Sequence, residues 1–308
     1  MKTSVILCSK GRPEQLAVSL QKLDGEGLLA CGGEAVLVYS SGDSATFATM
    51  KAFADESSFP VLVVEAARPG LSAARNEGVR QSNGDLIFFV DDDCYMEKGS
   101  VTALSAAMET GLFAYGGGMI KPWDLTDANI GFCQLEARQV LQPRTILPAG
   151  LIQGSNMFFL RRVFEVAGLF REELGGGSGY PHFGCDDIEM AARASLAGFP
   201  GALLPEVVVY HHHGRKEGSE VLEQLRLAYD YGRGTYYAAL LLYGVHEIWR
   251  VWATLTPPLK GPLLSDEQVE RLHREFAGAS EYFAYRLAHG EDLPRLSAGS
   301  MGTKETGA

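Results

Sequence analysis

Four short apolar runs, residues 4–8, 35–39, 60–66 and 86–90, alternate with three stretches of helical periodicity. This alternation constrains the fold more than any other feature of the chain. Strand–helix repeats of this length predict a parallel sheet covered by helices on both faces. The first helical stretch sets Leu16, Leu20 and Leu23 on one side. Pro13 suits its first turn, where a missing N–H is no loss. The second helical stretch follows "SSGDS", a turn or helix-start signal. The third carries small residues on one side and is expected to close at Asn83 and Gly84.

Past residue 100 the pattern becomes mixed. Residues 101–111 predict a helix, 112–122 a strand with a glycine-rich exit, and 151–170 a strand followed by a helix. The glycines of "GGGSGYPHFG" predict a mobile loop. Residues 185–199 predict a helix with acids at its start, and 201–216 a strand that delivers three histidines. From Ser219 one long helix is expected, ended by Pro257 and Pro258, and Ser265 caps a further one. Residues 291–308 read as a disordered tail.

The 308 residues are 46% hydrophobic and 21% charged, enough for a sizeable core without disulfide staples. A net charge of −11 argues against a nucleic-acid partner, which requires a basic face. Five scattered cysteines without zinc spacing fit a reducing cytosol, and the N-terminus reads as a strand and not a leader. No run of about 18 uncharged residues would span a membrane. The aromatic stretch 236–252 leaves peripheral membrane contact open, behind core packing or a homodimer contact.

Three clusters could carry chemistry. Asp91, Asp92 and Asp93 follow directly on the fourth apolar run, where α/β sheets gather their ligands. Carboxylates at i and i+2 can converge on a hard cation, and the plainer alternative is a solvated acidic loop. Like charges so close repel, so an opposing positive charge is expected there. Asp186 and Asp187 follow the glycine-rich loop and suggest a general base, or ordinary acids at a helix start. His211, His212 and His213 offer metal ligands or a polar strand end, and alternation places His211 and His213 on one face. Arg215 and Lys216 could hold a leaving pyrophosphate or simply be surface charge.

Together, "SVILCSKGRPEQL", "RPGLSAARNEGVRQSNGDLIFFVDDDC", "GSNMFFLRRVFEVAGLF" and "GCDDIEMAARASLAGFPGALLPEVVVYH" resemble family 2 glycosyltransferases in order and separation. The resemblance covers roughly residues 1–215 and implies an α/β GT-A fold, Rossmann-like, with a mostly parallel central sheet. The expected layout is a catalytic domain over 1–217, a nucleotide-binding half at 1–98, an acceptor half at 99–217 and a helical region at 218–290. "YGRG" is similar to bacterial members that build surface polysaccharides or glycosylate metabolites.

Carried over by position, Asp91 and Asp93 look like the DxD metal motif, with Asp93 the direct ligand. Asp92 then belongs with them at the donor. Asp187 stands where the catalytic Asp does, Asp186 where its Glu partner does, and His211 where a histidine often nears metal and diphosphate. Arg75 looks like the arginine at the donor nucleotide. Ser9 and Arg12 border the base, and Gly154, Ser155 and Asn156 form a wall beside the donor sugar. One departure concerns the base: the family's "DDGS" is "YSSGDS" here, so Ser40 and Ser41 replace acids.

The resemblance therefore implies Mg²⁺ or Mn²⁺, a UDP, dTDP or GDP sugar as donor, a hydroxyl acceptor and inversion at the anomeric carbon. The acceptor is not legible. Trp123, Tyr180, His182 and Phe183 are candidates for an aromatic platform or for loop packing. Rival readings are a nucleotide-sugar-binding protein without turnover and a nucleotidyltransferase. The latter should carry a richer glycine and basic signature than "CSKGRPEQL".

Overall fold

A computed structural model describes residues 1–255 and 264–290. The first 91 residues fold as the alternation predicts, as β1 Thr3–Ser9, α1 Pro13–Gln21, α2 Gly25–Ala30, β2 Glu34–Ser40, α3 Ser44–Glu56, β3 Val61–Ala66, α4 Leu71–Gln81 and β4 Leu86–Asp91. Pro13 opens α1, and the Asp43 side chain caps α3 by accepting from the Thr46 N–H. The six-residue helix α2 was not legible as a separate element. Its Asp24 cap also accepts from the N–H groups of Gly99 and Val101, so one buried carboxylate ties it to the chain after β4.

The second half contains β5 Cys94–Met96, α5 Ser100–Glu109, β6 Tyr115–Pro122, β7 Gln139–Leu141, β8 Met157–Leu160, α6 Arg161–Ala167, α7 Asp186–Leu196 and β9 Gly201–His211. Three helices follow, α8 Glu220–Leu242, α9 Ile248–Leu255 and α10 Asp266–His289. The sheet has nine strands in the order β3-β2-β1-β4-β8-β6-β9-β5, with β7 also paired to β9. Strands β1 to β4 pair in parallel, and β4–β8, β8–β6, β9–β5 and β9–β7 are antiparallel. Strands β1 and β4 are buried along nearly their whole length, as a sheet covered on both faces requires.

The glycines at 116–118 lie inside β6 and not at its exit. A Cβ on Gly116 would stand 1.9 Å from the Ala202 carbonyl, so only glycine lets β6 approach β9 here. Helix α4 ends at Gln81 and Ser82 is extended, so Asn83 and Gly84 do not cap it. Gly84 instead lies against β1, where a Cβ would meet the Ser4 amide at 2.6 Å. The long C-terminal helix is two helices. The chain turns at Gly244, whose φ of +87° suits a residue without a Cβ.

Helices α8 and α10 pair along their length, and α8 also packs on α7. Ser265 caps α10 as the sequence predicts, through a reciprocal box with Gln268. No helix among the described residues is long and apolar enough to cross a membrane. The expected tail at 291–308 and the Pro257–Pro258 break lie outside the described residues.

Candidate active site

The acidic tip resolves into three carboxylates with three surroundings. Asp91 ends β4 and opens into a cavity, where the Arg75 guanidinium donates to it at 3.2 Å. Asp92 is fully buried and faces the other way, accepting from the Ser9 hydroxyl at 2.5 Å and from Arg12. Asp93 lies between Arg12, at 3.2 Å, and His211 Nε2, at 3.3 Å. Two arginines far away in sequence therefore supply opposing charge, before any ligand is considered. Burial pushes the Asp92 carboxyl up to about 6, against the pull of Arg12 and Ser9. Burial also opposes ionisation of Asp93, yet the hydrogen bond and charge of His211 hold it below the ordinary carboxylate range.

His211 is the last residue of β9, beside Cys94 of β5. Its Nδ1 donates to the Gly131 carbonyl at 3.2 Å, which turns Nε2 toward Asp93, and although burial opposes it, the hydrogen bond and charge of Asp93 raise the imidazole so that Nε2 keeps a proton there. An imidazole nitrogen and a carboxylate oxygen at that distance share a proton, which a cation could replace. This oxygen-and-imidazole set suits Mg²⁺ or Mn²⁺. Cys94 Sγ is near the same atoms. Burial raises its thiol well above the ordinary range, so it stays protonated and is a poor ligand. His213 shares the His211 side, with ring centroids 5.2 Å apart, and His212 turns away to the Tyr95 hydroxyl.

The paired acids begin α7, directly after Cys185 in the left-handed region at φ +64°. Asp186 accepts from Arg75 at 2.6 Å and from the Ser72 hydroxyl at 3.2 Å. Arg75 thus joins Asp91 to Asp186 from α4, at 2% exposure. Asp187 is half-buried and accepts from the amides of Gly154, at 2.9 Å, and Ile188, at 2.7 Å. Burial and the charge of Asp186 push its carboxyl up to about 6. Gly154 opens the 3₁₀ turn Gly154–Asn156, and a Cβ there would collide with Arg75 Nη2 at 2.3 Å.

A cavity of about 790 Å³ is lined by Asp91, Arg75, His211, Gly154, Ser155, Asp186 and Asp187 together. Gly175–Gly177 form another part of its rim, and the ends of that loop are fastened. Leu71 N–H donates to the Gly176 carbonyl at 2.8 Å, and Gly175 N–H to Phe183 at 2.7 Å. A Cβ on Gly175 would stand 2.8 Å from the Asp186 carboxyl, so glycine is needed there for close packing.

Several expected residues lie outside this cavity. Ser9 and Arg12 are engaged by Asp92 and Asp93, because the first loop folds over the acidic tip. Asp92 is turned into the protein. Asn156 is not a cavity wall either. Its amide donates to Met119 and Val207 carbonyls at 2.8 and 3.0 Å, filling the irregularity where β6 shifts register against β9. Ser40 ends β2, and its carbonyl accepts from Asp43 N–H. Arg215 is outside the lining but acts electrostatically on Asp93 and His213. Lys216 is held by Asp124 and Asp127, at 2.8 and 2.7 Å, as surface charge. Sequence reasoning missed Leu225, Ala228, Tyr229, Gly232 and Arg233 of α8, which line the same cavity. Their i, i+3, i+4, i+7 spacing was visible, but nothing in sequence said what that face meets.

A sequence profile of glycosyl transferase family 2 matches residues 4–165, more than half of the chain. The chain belongs to glycosyl transferase family 2. An uncharacterized glycosyltransferase of Bacillus subtilis (strain 168), YwdF, is 28% identical over 116 residues, 37% of this chain and 41% of that protein. This family 2 chain therefore matches less than half the length of that relative. The mannosyltransferase PcManGT of Pyrobaculum calidifontis, solved with GDP-Man and Mn²⁺, superposes with a TM-score of 0.57 at 16% identity, over 96% of this chain and 77% of that one. S. aureus TarS 1–349 with UDP-GlcNAc gives 0.57 at 14% identity, over 94% and 93%. The fold is of the GT-A type, with a C-terminal helical extension. The family match ends before α7, so Asp186, Asp187, His211 and all of α8 enter the site from outside it.

Proposed function

We propose that the protein is a metal-dependent, inverting glycosyltransferase that moves a sugar from a nucleoside-diphosphate sugar to a hydroxyl group. One observation carries this reading. Asp187, a carboxylate tuned to about 6, shares a single cavity with Asp91 and His211. A base and an anion-binding edge on one space suit in-line displacement at a carbon between them. PcManGT with GDP-Man and Mn²⁺ and TarS with UDP-GlcNAc support a nucleotide-sugar donor and a divalent cation.

In this reading Asp93, His211 and Asp91 hold the cation, which when bound supplies Lewis-acid neutralisation of the leaving diphosphate. Asp187 takes the proton from the acceptor hydroxyl as that oxygen attacks the anomeric carbon. Arg75 fixes Asp186 and Asp91 in register, and so holds base and donor edge at a set separation. The amides of Gly154 and Ile188 each fix one oxygen of Asp187, which orients the carboxylate where it lines the cavity. Residues 1–217 form the catalytic unit, and helix α8 closes its acceptor side. With Asp43 engaged by the Gly11 and Thr46 amides, no carboxylate is offered to the base from this loop. Ser40 would meet the base as a neutral group, which leaves UDP, dTDP and GDP donors to be told apart by assay.

The test is a panel of UDP, dTDP and GDP sugars with Mn²⁺, scored for binding by calorimetry and for release of nucleoside diphosphate. A binding protein without turnover would bind a donor and release nothing. Asp187→Asn should keep donor binding and lose about 10²–10⁴-fold in rate. Unchanged turnover in that variant would remove Asp187 from its assigned role.

A further inference from the structure

Helix α8 builds part of the wall of the cavity that Asp187 also lines, and its chemistry differs from the donor side. Leu225, Ala228, Tyr229 and Gly232 make one face of the helix. Tyr229 is 46% exposed, and no hydrogen bond engages its hydroxyl among the described residues. Tyr229 lines the same cavity as Asp187 and Asp91, and burial raises its phenol above the ordinary range. Arg233 is the basic residue of this wall, and its guanidinium is already held by Glu275, at 2.6 Å, and by Asp230. Arg75, also in the lining, is likewise engaged by Asp91 and Asp186.

The placement of α8 is built into "YGRG". A Cβ on Gly232 would stand 3.1 Å from the Gly184 Cα, so the helix lies directly on the turn that starts α7. A Cβ on Gly234 would stand 1.8 Å from the Glu275 carbonyl oxygen of α10. Two glycines thus wedge α8 between the Asp186–Asp187 turn and α10, and Thr235 Oγ1 bonds the His182 carbonyl at 3.0 Å. Tyr229 is carried to the cavity by backbone contacts and not by a flexible loop.

We infer that this α8 wall is the acceptor subsite, that Tyr229 is its stacking platform, and that it takes a neutral acceptor presenting a ring face. The inference rests on the transferase reading above and names its acceptor class. An anionic acceptor would enter a space lined by Asp91, Asp186 and Asp187, with Arg233 already held by two carboxylates and Arg215 outside the lining, and an unpaired buried charge is strongly disfavoured. A pyranose or aryl ring offers C–H and π surface to a tyrosine face without that penalty.

The experiment uses the full chain with Mn²⁺ and whichever donor of the panel is hydrolysed to its nucleoside diphosphate without acceptor. Two probes, 4-nitrophenyl glucoside and 4-nitrophenyl glucuronide, differ by a carboxylate. The glucoside should be glycosylated with an efficiency at least about tenfold above the glucuronide, the scale of an unpaired charge at a half-open site. Tyr229→Ala should lower transfer to the glucoside about tenfold more than it lowers donor hydrolysis, with the loss in acceptor KM. Tyr229→Phe should retain most of it. Ala228→Arg, which adds an unpaired cation to the same face, should shift preference toward the glucuronide. Equal or better use of the glucuronide, no use of either probe, or an equal loss of transfer and hydrolysis in Tyr229→Ala overturns the inference and leaves the transferase reading standing. Absence of binding and hydrolysis for every donor overturns the transferase reading, and this inference with it.

Discussion

Asp187 carries the most direct consequence at the scale of a single residue. Its carboxyl is raised to about 6 by burial and by Asp186, and it acts as a base only when deprotonated. The kcat/KM for transfer should rise tenfold per pH unit below about 6 and level off above it, as expected for a general base in free enzyme. A pH profile that is flat from about 4.5 to 7 would assign the proton to another group. Arg75 makes a second case. It is 2% exposed and faces two carboxylates, Asp91 and Asp186, that have few other cations near them. Arg75→Ala would leave both acids without their partner, and removing one member of a buried ion pair costs about 3–5 kcal/mol. Urea unfolding of the purified variant reads that loss. Arg75→Lys restores the charge but not the two-pronged geometry, and should recover only part of it.

At the scale of the element, α8 is held by what its glycines lack. Alanine is intrinsically better than glycine in a helix by about 1 kcal/mol. At Gly234 that gain is outweighed, because the added methyl would meet the Glu275 backbone at 1.8 Å and force α8 and α10 apart. Overpacking of this kind costs about 1–3 kcal/mol, so Gly234→Ala should lower Tm despite its better propensity. A raised Tm would mean that the α8–α10 contact yields easily. The same contrast explains which elements sequence could place. Strand β1 and helix α1 carry their own signals, an apolar run and Pro13 before a periodic leucine face. Helix α2, strand β7 and the break at Gly244 carry no local signal strong enough, since each is short or set by its neighbours. The misplaced cap at Asn83 and Gly84 has the same origin. Gly84 answers to Ser4 of β1, a contact 80 residues away in sequence.

At the scale of the whole molecule, cation binding and folding are linked. Asp93 and His211 are 118 residues apart in sequence and meet only because β5 pairs with β9 in the folded chain. A ligand that binds only that state stabilises it by about 2.7 kcal/mol at a hundred times its Kd. Mn²⁺ should therefore raise Tm, EDTA should reverse the rise, and His211→Ala should lose it. An equal rise in His211→Ala would place the cation elsewhere. Much of the site was readable in advance as residue types. Asp91, Asp93, Arg75, Asp186, Asp187 and His211 all converge, four of them at expected strand or helix ends, Asp91 in the alternating half and Asp186, Asp187 and His211 in the mixed half. The direction of each side chain was not readable. Asp92 turns inward, Ser9 and Arg12 turn to meet the acidic tip, and Asn156 serves the sheet.

The sequence by itself determined the parallel α/β half, the acidic strand tip and the family, because apolar periodicity and residue type are local properties that every segment carries with it. Tertiary structure alone decided which charge neutralises which carboxylate and which helix faces the base. Those pairings depend on distances between segments far apart in sequence, 111 residues for Arg75 and Asp186, and no local pattern encodes them.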